Sequence, residues 1–122
     1  MALEMAVKLA QAGEQVVHVM PSTKQVNDHV RRVKVLAGEA AQEVGWSFKF
    51  PGGGRLWLEV ADGMARRAGQ DLTVVVDQLV REVGNVHRQD LAVLDRFLST
   101  YEKQEEGGVE RWRPRPRRRG RR

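Results

Sequence analysis

The sequence predicts a small α/β domain followed by a disordered basic arm, on three observations. Helix-period apolar segments alternate with short β-branched runs bounded by glycine and proline. Two stretches of alternating apolar residues flank Pro51-Gly52-Gly53-Gly54, the signature of a hairpin. The composition changes abruptly at Gly107-Gly108, after which arginine dominates.

The 122 residues suit one compact domain. Of 21 basic and 16 acidic groups, giving a net charge of +5, eight arginines lie beyond Gly108 against Glu110 alone. Residues 1–108 therefore carry thirteen basic and fifteen acidic groups, so the basic character belongs to residues 109–122. The absence of cysteine excludes disulfides, thiolate zinc sites and thiol nucleophiles, and fits the cytoplasm or another reducing compartment. Glu4 and Lys8 interrupt the first apolar stretch, which does not read as a signal peptide. No run approaches the ~20 apolar residues that cross a bilayer, so no membrane partner is expected.

Ala2–Gln11 has Glu4, Lys8 and Gln11 on one face and is otherwise apolar, so it reads as a helix buried on several sides and ended at Gly13. Gln15–Met20 reads as a buried strand. Ser22 is an N-cap signal with Gln25 completing a capping box. Val26, Val30, Val33 and Ala37 form the stripe of the helix that follows; it ends at Gly38 or runs on to Gly45. Trp46, Phe48 and Phe50 alternate into the Pro51–Gly54 turn, and Leu56, Leu58 and Val60 answer them. Asp62–Ala68 suits a short helix. Leu72–Val83 fits two templates, a buried strand ending at Asp77 or a helix capped by Asp71, and the consecutive valines favour the strand. Gln89–Gln104 reads as a helix with Leu91, Leu94, Leu98 and Tyr101 in register.

Few constellations suggest chemistry. His18, His29 and His87 have no ligand-like spacing, so no metal site is expected, and His18 reads as a hydrogen-bonded core residue. The triglycine reads as a turn, because phosphate loops need a helix N-terminus behind them. Ser22 is explained as a cap and Ser47 lies in a strand, which leaves no Ser/His/Asp arrangement. Arg66-Arg67 and Glu105-Glu106 read as solvated helix residues.

From Ala2 to about Val83 the wording of the segments resembles the part of a P-loop NTPase that follows its phosphate-binding loop. LEMAVKLAQAG stands as the post-loop helix, QVVHVMPS as a strand, TKQVNDHVRRV as a helix, FPGGGRLWLEV as a hairpin and LTVVVDQ as the Walker B strand. The large-terminase and helicase-like ATPases are the nearest in character. The resemblance implies a magnesium-water role for Asp77 and places Gln78 where a catalytic glutamate is expected. No Gly-Lys dipeptide occurs, the loop and its strand are missing, and Gln78 lacks the carboxylate that polarises water. The expectation is a catalytically incomplete relative with no bound cofactor, inactive toward ATP by itself or completed by a protein partner that supplies the loop.

The arm is the strongest signal. Arg-Pro alternation disfavours helix and sheet and favours an extended chain. Arg111, Arg113, Arg115, Arg117, Arg118, Arg119, Arg121 and Arg122 are expected to meet phosphates, and Trp112 to stack on a base, so the partner is nucleic acid bound without sequence preference. Two function classes follow: a nucleic-acid-associated relative of packaging or helicase ATPases, or a non-enzymatic accessory, phage-like or a small helical regulator, acting through the arm.

Overall fold

A computed structural model describes residues 2–116. Its centre is β1 (Gln15–Met20), which pairs in parallel with β4 (Arg55–Val60) on one side and β5 (Thr73–Val76) on the other. Strands flanked by parallel neighbours are covered on both faces, and the sequence reflects it. Val16, Met20, Leu56, Leu58 and Val75 pack toward α1 (Ala2–Gln11) and α2 (Val26–Ala37). Val17, Val19, Val74 and Val76 pack toward α3 (Arg88–Phe97) and the 3-10 segment Ala61–Arg67. The chain is thus a mixed sheet between two helical layers, with the α/β class predicted from sequence.

The Leu72–Val83 ambiguity resolves as strand. Thr73–Val76 is buried throughout, and a run of valines with both faces covered satisfies a sheet position that a helix with one solvated face does not. Ala2, Leu3, Ala6, Val7 and Ala10 of α1 are buried as its composition implies. α2 ends at Gly38, whose φ of 66° needs no Cβ. Ser22 accepts from the Lys24 amide, and its hydroxyl donates to the Gln25 side chain. That leaves Gln25 bound to the cap rather than to the cap's own backbone, as a complete capping box would require. The glycine turn is a hairpin connection: Phe50 N–H donates to Gly54 O at 2.9 Å and Gly53 N–H to Phe50 O at 3.0 Å. It joins β3 (Ser47–Lys49) to β4 in antiparallel register, with Phe48 opposite Leu56. A further edge strand, β2 (Gln42–Val44), pairs with β3; its exposed residues gave no periodic signal.

The largest correction lies at the C-terminal end. The expected helix Gln89–Gln104 stops at Phe97, and Tyr101–Glu106 forms β6. Ser99 hydroxyl donates to Arg96 O, which closes the helix locally. The Tyr101 hydroxyl then bridges Gln70 O and the Leu72 amide, holding the start of the strand. Gly107 and Gly108, both at positive φ (61° and 78°), form a two-residue hairpin loop, which requires that conformation at both positions. They lead into β7 (Val109–Pro114) rather than into a linker. β7 inserts between β5 and β6, giving the seven-strand order β2-β3-β4-β1-β5-β7-β6. The domain therefore extends through Pro114, not Gly108, because proline first interrupts the segment only there. Residues 117–122 of the expected arm lie outside the described residues.

Candidate functional site

β1 and β5 run parallel, so their carboxyl ends open on the same edge of the sheet, the edge at which α/β folds place ligands. Asp77 directly follows β5. Its amide donates to Val19 O at 3.0 Å, extending the β1–β5 ladder by one bond. Its Oδ1 accepts from the Leu79 amide at 2.9 Å and caps the 3-10 turn Gln78–Arg81. With backbone and one carboxylate oxygen fixed, Oδ2 is aimed at two imidazoles. His18 Nε2 lies 3.8 Å away and His29 Nε2 3.7 Å away.

The two histidines arrive from different elements. His18 is central in β1, on the face turned to α1 and α2 and level with Leu58 and Val75. It is fully buried, and neither ring nitrogen has a hydrogen-bond partner among the described residues. His29 is on the first turns of α2, buried, with Nδ1 2.9 Å from Gln25 O. Donation by Nδ1–H to that carbonyl makes Nε2 the nitrogen that faces Asp77. The rings stand 5.1 Å apart between centroids, tilted by 36°. Burial pushes the His18 imidazole below its ordinary value, against the pull of Asp77, so the neutral ring is favoured. The imidazoles of His18 and His29, helped by the Leu79 amide and opposed by burial, hold the Asp77 carboxyl well below the usual range. The site at neutral pH is therefore an ionised carboxylate facing a buried neutral imidazole.

The cleft above Asp77 measures about 730 Å³ and is bounded by the first turn of α1, by α2, by the Gln78–Arg81 turn and by the β6–β7 hairpin. Ala2 at the head of α1 and Asp77 line the same space, as do Arg31, Arg32, Arg81 and Lys103. Arg81 is tied to Glu110 at 2.8 Å and to Asp95 at 3.0 Å, so its charge is answered inside the fold. Gln78 also lines the cleft. Comparison with protein-family models, curated proteins and solved structures finds no match.

The residues singled out in the C-terminal segment separate into two groups. Arg111 pairs with Glu106 at 3.0 Å, and Arg113 reaches Glu14 at 2.8 Å. Trp112 packs against the core on the α3 side, and its Nε1–H donates to Glu110 at 2.7 Å. All three belong to β7, the strand next to the edge strand β6, where their side chains are partly buried and occupied. Arg115 is exposed, and no carboxylate among the described residues pairs with it; Arg117, Arg118, Arg119, Arg121 and Arg122 lie outside the described residues. β7 runs antiparallel to β5, with Glu110 opposite Val76 and Trp112 opposite Val74. Glu110 lies at the cleft and Pro114 at the opposite edge of the sheet, four residues or about 14 Å apart at the usual strand rise.

Arg66 is solvated as expected, although its guanidinium reaches the buried carboxylate of Glu59 at 3.3 Å; Arg67 is mostly buried and pairs with the same carboxylate at 3.1 Å. Sequence reasoning also missed the His18–His29–Asp77 cluster. Its members stand 11 and 48 positions apart, so no local spacing reports it; only the β1–β5 pairing and the docking of α2 bring it together.

Proposed function

We infer that the protein is a nucleic-acid-associated domain related to P-loop NTPases of the packaging or helicase kind, and catalytically incomplete alone. The observation that carries this reading is the shared cleft of Ala2 and Asp77. A helix N-terminus favours anionic groups, and a carboxylate at the end of a central parallel strand suits a hydrated magnesium ion. These are the places that the resemblance assigns to nucleotide phosphates and to the metal. The chain offers no Gly-Lys pair and carries Gln78 after Asp77, so the loop would come from a protein partner.

Contact with nucleic acid is made by the six arginines from Arg115 to Arg122. Without residues 115–122 the chain has fifteen basic and sixteen acidic groups, a net charge of −1, and Arg111 and Arg113 are already paired. If all six arginines meet phosphates, log K should fall with log salt at a slope of about −4 on single strands and about −5 on duplex. Titration of labelled DNA and RNA of unrelated sequence, with the full chain and with residues 1–114, tests this. The full chain should bind all of them similarly and steeply in salt, and the truncated chain should bind at least tenfold more weakly. Equal affinity of the two chains would move the contact to the body. The pure protein should also release no phosphate from ATP; saturable magnesium-dependent turnover would overturn the incomplete-enzyme reading.

A further inference from the structure

The His18–Asp77–His29 cluster has a feature that a hydrogen-bonded core does not. A carboxylate oxygen lies 3.8 and 3.7 Å from two imidazole nitrogens, beyond hydrogen-bond reach of either. His18 is fully buried, with both nitrogens unpartnered among the described residues, and a buried polar group without a partner is costly. The three donor atoms all lie within 4.8 Å of one another. Two donors bound to one tetrahedral ion at about 2.1 Å each stand roughly 3.4 Å apart. The observed carboxylate–imidazole gaps exceed that by a few tenths of an ångström, within reach of a side-chain adjustment.

We propose that His18 Nε2, His29 Nε2 and Asp77 Oδ2 bind a divalent transition-metal ion, zinc in the first instance. The donor set decides the class. Two imidazoles and one carboxylate suit zinc and its first-row neighbours, whereas magnesium and calcium take oxygen ligands. The surroundings match a ligand shell. Nδ1–H of His29 donates to Gln25 O, which fixes the tautomer whose Nε2 can bind a metal. Asp77 Oδ1 is held by the Leu79 amide, so only Oδ2 turns inward. Three protein ligands leave the ion a further position. His18 is sealed in the sheet while Asp77 and His29 line the cleft, so that position opens on the cleft and would carry water. The proposal does not rest on the nucleic-acid reading. It gives Asp77 direct contact with a borderline transition-metal ion, where the NTPase resemblance gives it contact with hydrated magnesium.

The test uses the full chain freed of metal by chelator dialysis. Calorimetric titration with zinc should give one equivalent bound, with thermal unfolding raised in proportion to free zinc. Cobalt should bind with visible ligand-field absorption, and excess zinc should bleach it. Nitrogen-detected imidazole spectra of the unmutated protein should show zinc shifting His18 and His29 and leaving His87 in place. H29Q and D77N should each weaken zinc binding by at least 100-fold, with apo far-UV spectra and apo unfolding recorded for each. If a variant fails to fold, the imidazole spectra of the unmutated chain still decide. The proposal is overturned if zinc and cobalt do not bind, if zinc shifts His87 and not His18 and His29, or if only magnesium binds. The last outcome would leave the NTPase-like reading standing.

Discussion

Ending the chain at Gly108 separates the observed fold from the domain boundary that composition suggests. β7 pairs with β5 at three positions and with β6 at six. An antiparallel ladder carries about one hydrogen bond per paired position, and at about 1 kcal/mol net for each the loss is roughly 9 kcal/mol. Removing Trp112 from the α3-side core adds to it. A domain of this size has only about 5–15 kcal/mol in total. The loss is also not confined to the deleted strand, because β6 has no other neighbour among the described strands and β5 would expose a three-valine edge. Stopping at Pro114 instead removes a single described backbone bond, Arg115 N–H to Thr100 O at 3.2 Å, worth about 1 kcal/mol. Urea unfolding followed by circular dichroism should therefore show residues 1–114 within about 1 kcal/mol of the full chain. Residues 1–108 should show no cooperative transition and should aggregate. A cooperative transition for residues 1–108 near the midpoint of the full chain would refute the reasoning, and with it the placement of β7 inside the sheet.

Three further substitutions probe the scaffold. A Cβ at Gly54 would run into the Ala10 carbonyl and lie 3.1 Å from Gly13 Cα, both backbone, so Gly54→Ala should cost about 3 kcal/mol in urea unfolding. Gly53→Ala has open space but strained backbone at φ 90°, and should cost only about 1 kcal/mol. Burial pushes the Glu110 carboxyl up, but hydrogen bonds from Arg81 and Trp112 outweigh it and hold the carboxyl below its ordinary value. A depressed folded-state value means the stabilisation is complete above the unfolded value of about 4.3 and is lost as pH falls through the folded one. Glu110→Gln should accordingly cost about 1–3 kcal/mol at pH 7, and the difference from the parent chain should shrink in unfolding curves taken below pH 4.3. A pH-independent difference would show that the carboxylate charge contributes nothing.

What could be read from the sequence follows from which elements are buried. β1, β4 and β5 carry runs that no solvated element would tolerate, and α1 has only three polar positions; all four were legible. β2 and β6 are edge strands whose exposed residues are mostly polar, and such strands have no apolar alternation to detect. β6 was harder still, because Tyr101 completes a helical register with Leu94 and Leu98 while its hydroxyl serves Gln70 and Leu72 in a different element. β7 was hidden by composition. Its arginines look like tail charge, yet Arg111 and Arg113 face Glu106 and Glu14, the latter about a hundred positions away. Only pairing across the sheet reveals that those charges are spent.

The same pairing sets the functional geometry. The Gly107-Gly108 hairpin borders the cleft at Asp77, and β7 carries the chain from there to the far edge before the arginine cluster begins. At about 3.4 Å per residue, the span from Glu110 to Pro114 exceeds one Debye length at physiological salt, about 8 Å. Charge on Arg115, the exposed residue that follows Pro114, therefore has little direct influence on the Asp77 carboxylate. It follows that the metal and nucleic-acid proposals should be separable by mutation. Residues 1–114 should keep the full chain's zinc affinity within about threefold, since all three proposed ligands lie within them and no described residue beyond Pro114 lines the cleft. D77N should in turn leave the salt slope of nucleic-acid binding unchanged. Loss of zinc binding in the folded 1–114 chain would mean instead that the residues beyond Pro114 reach back to the cleft.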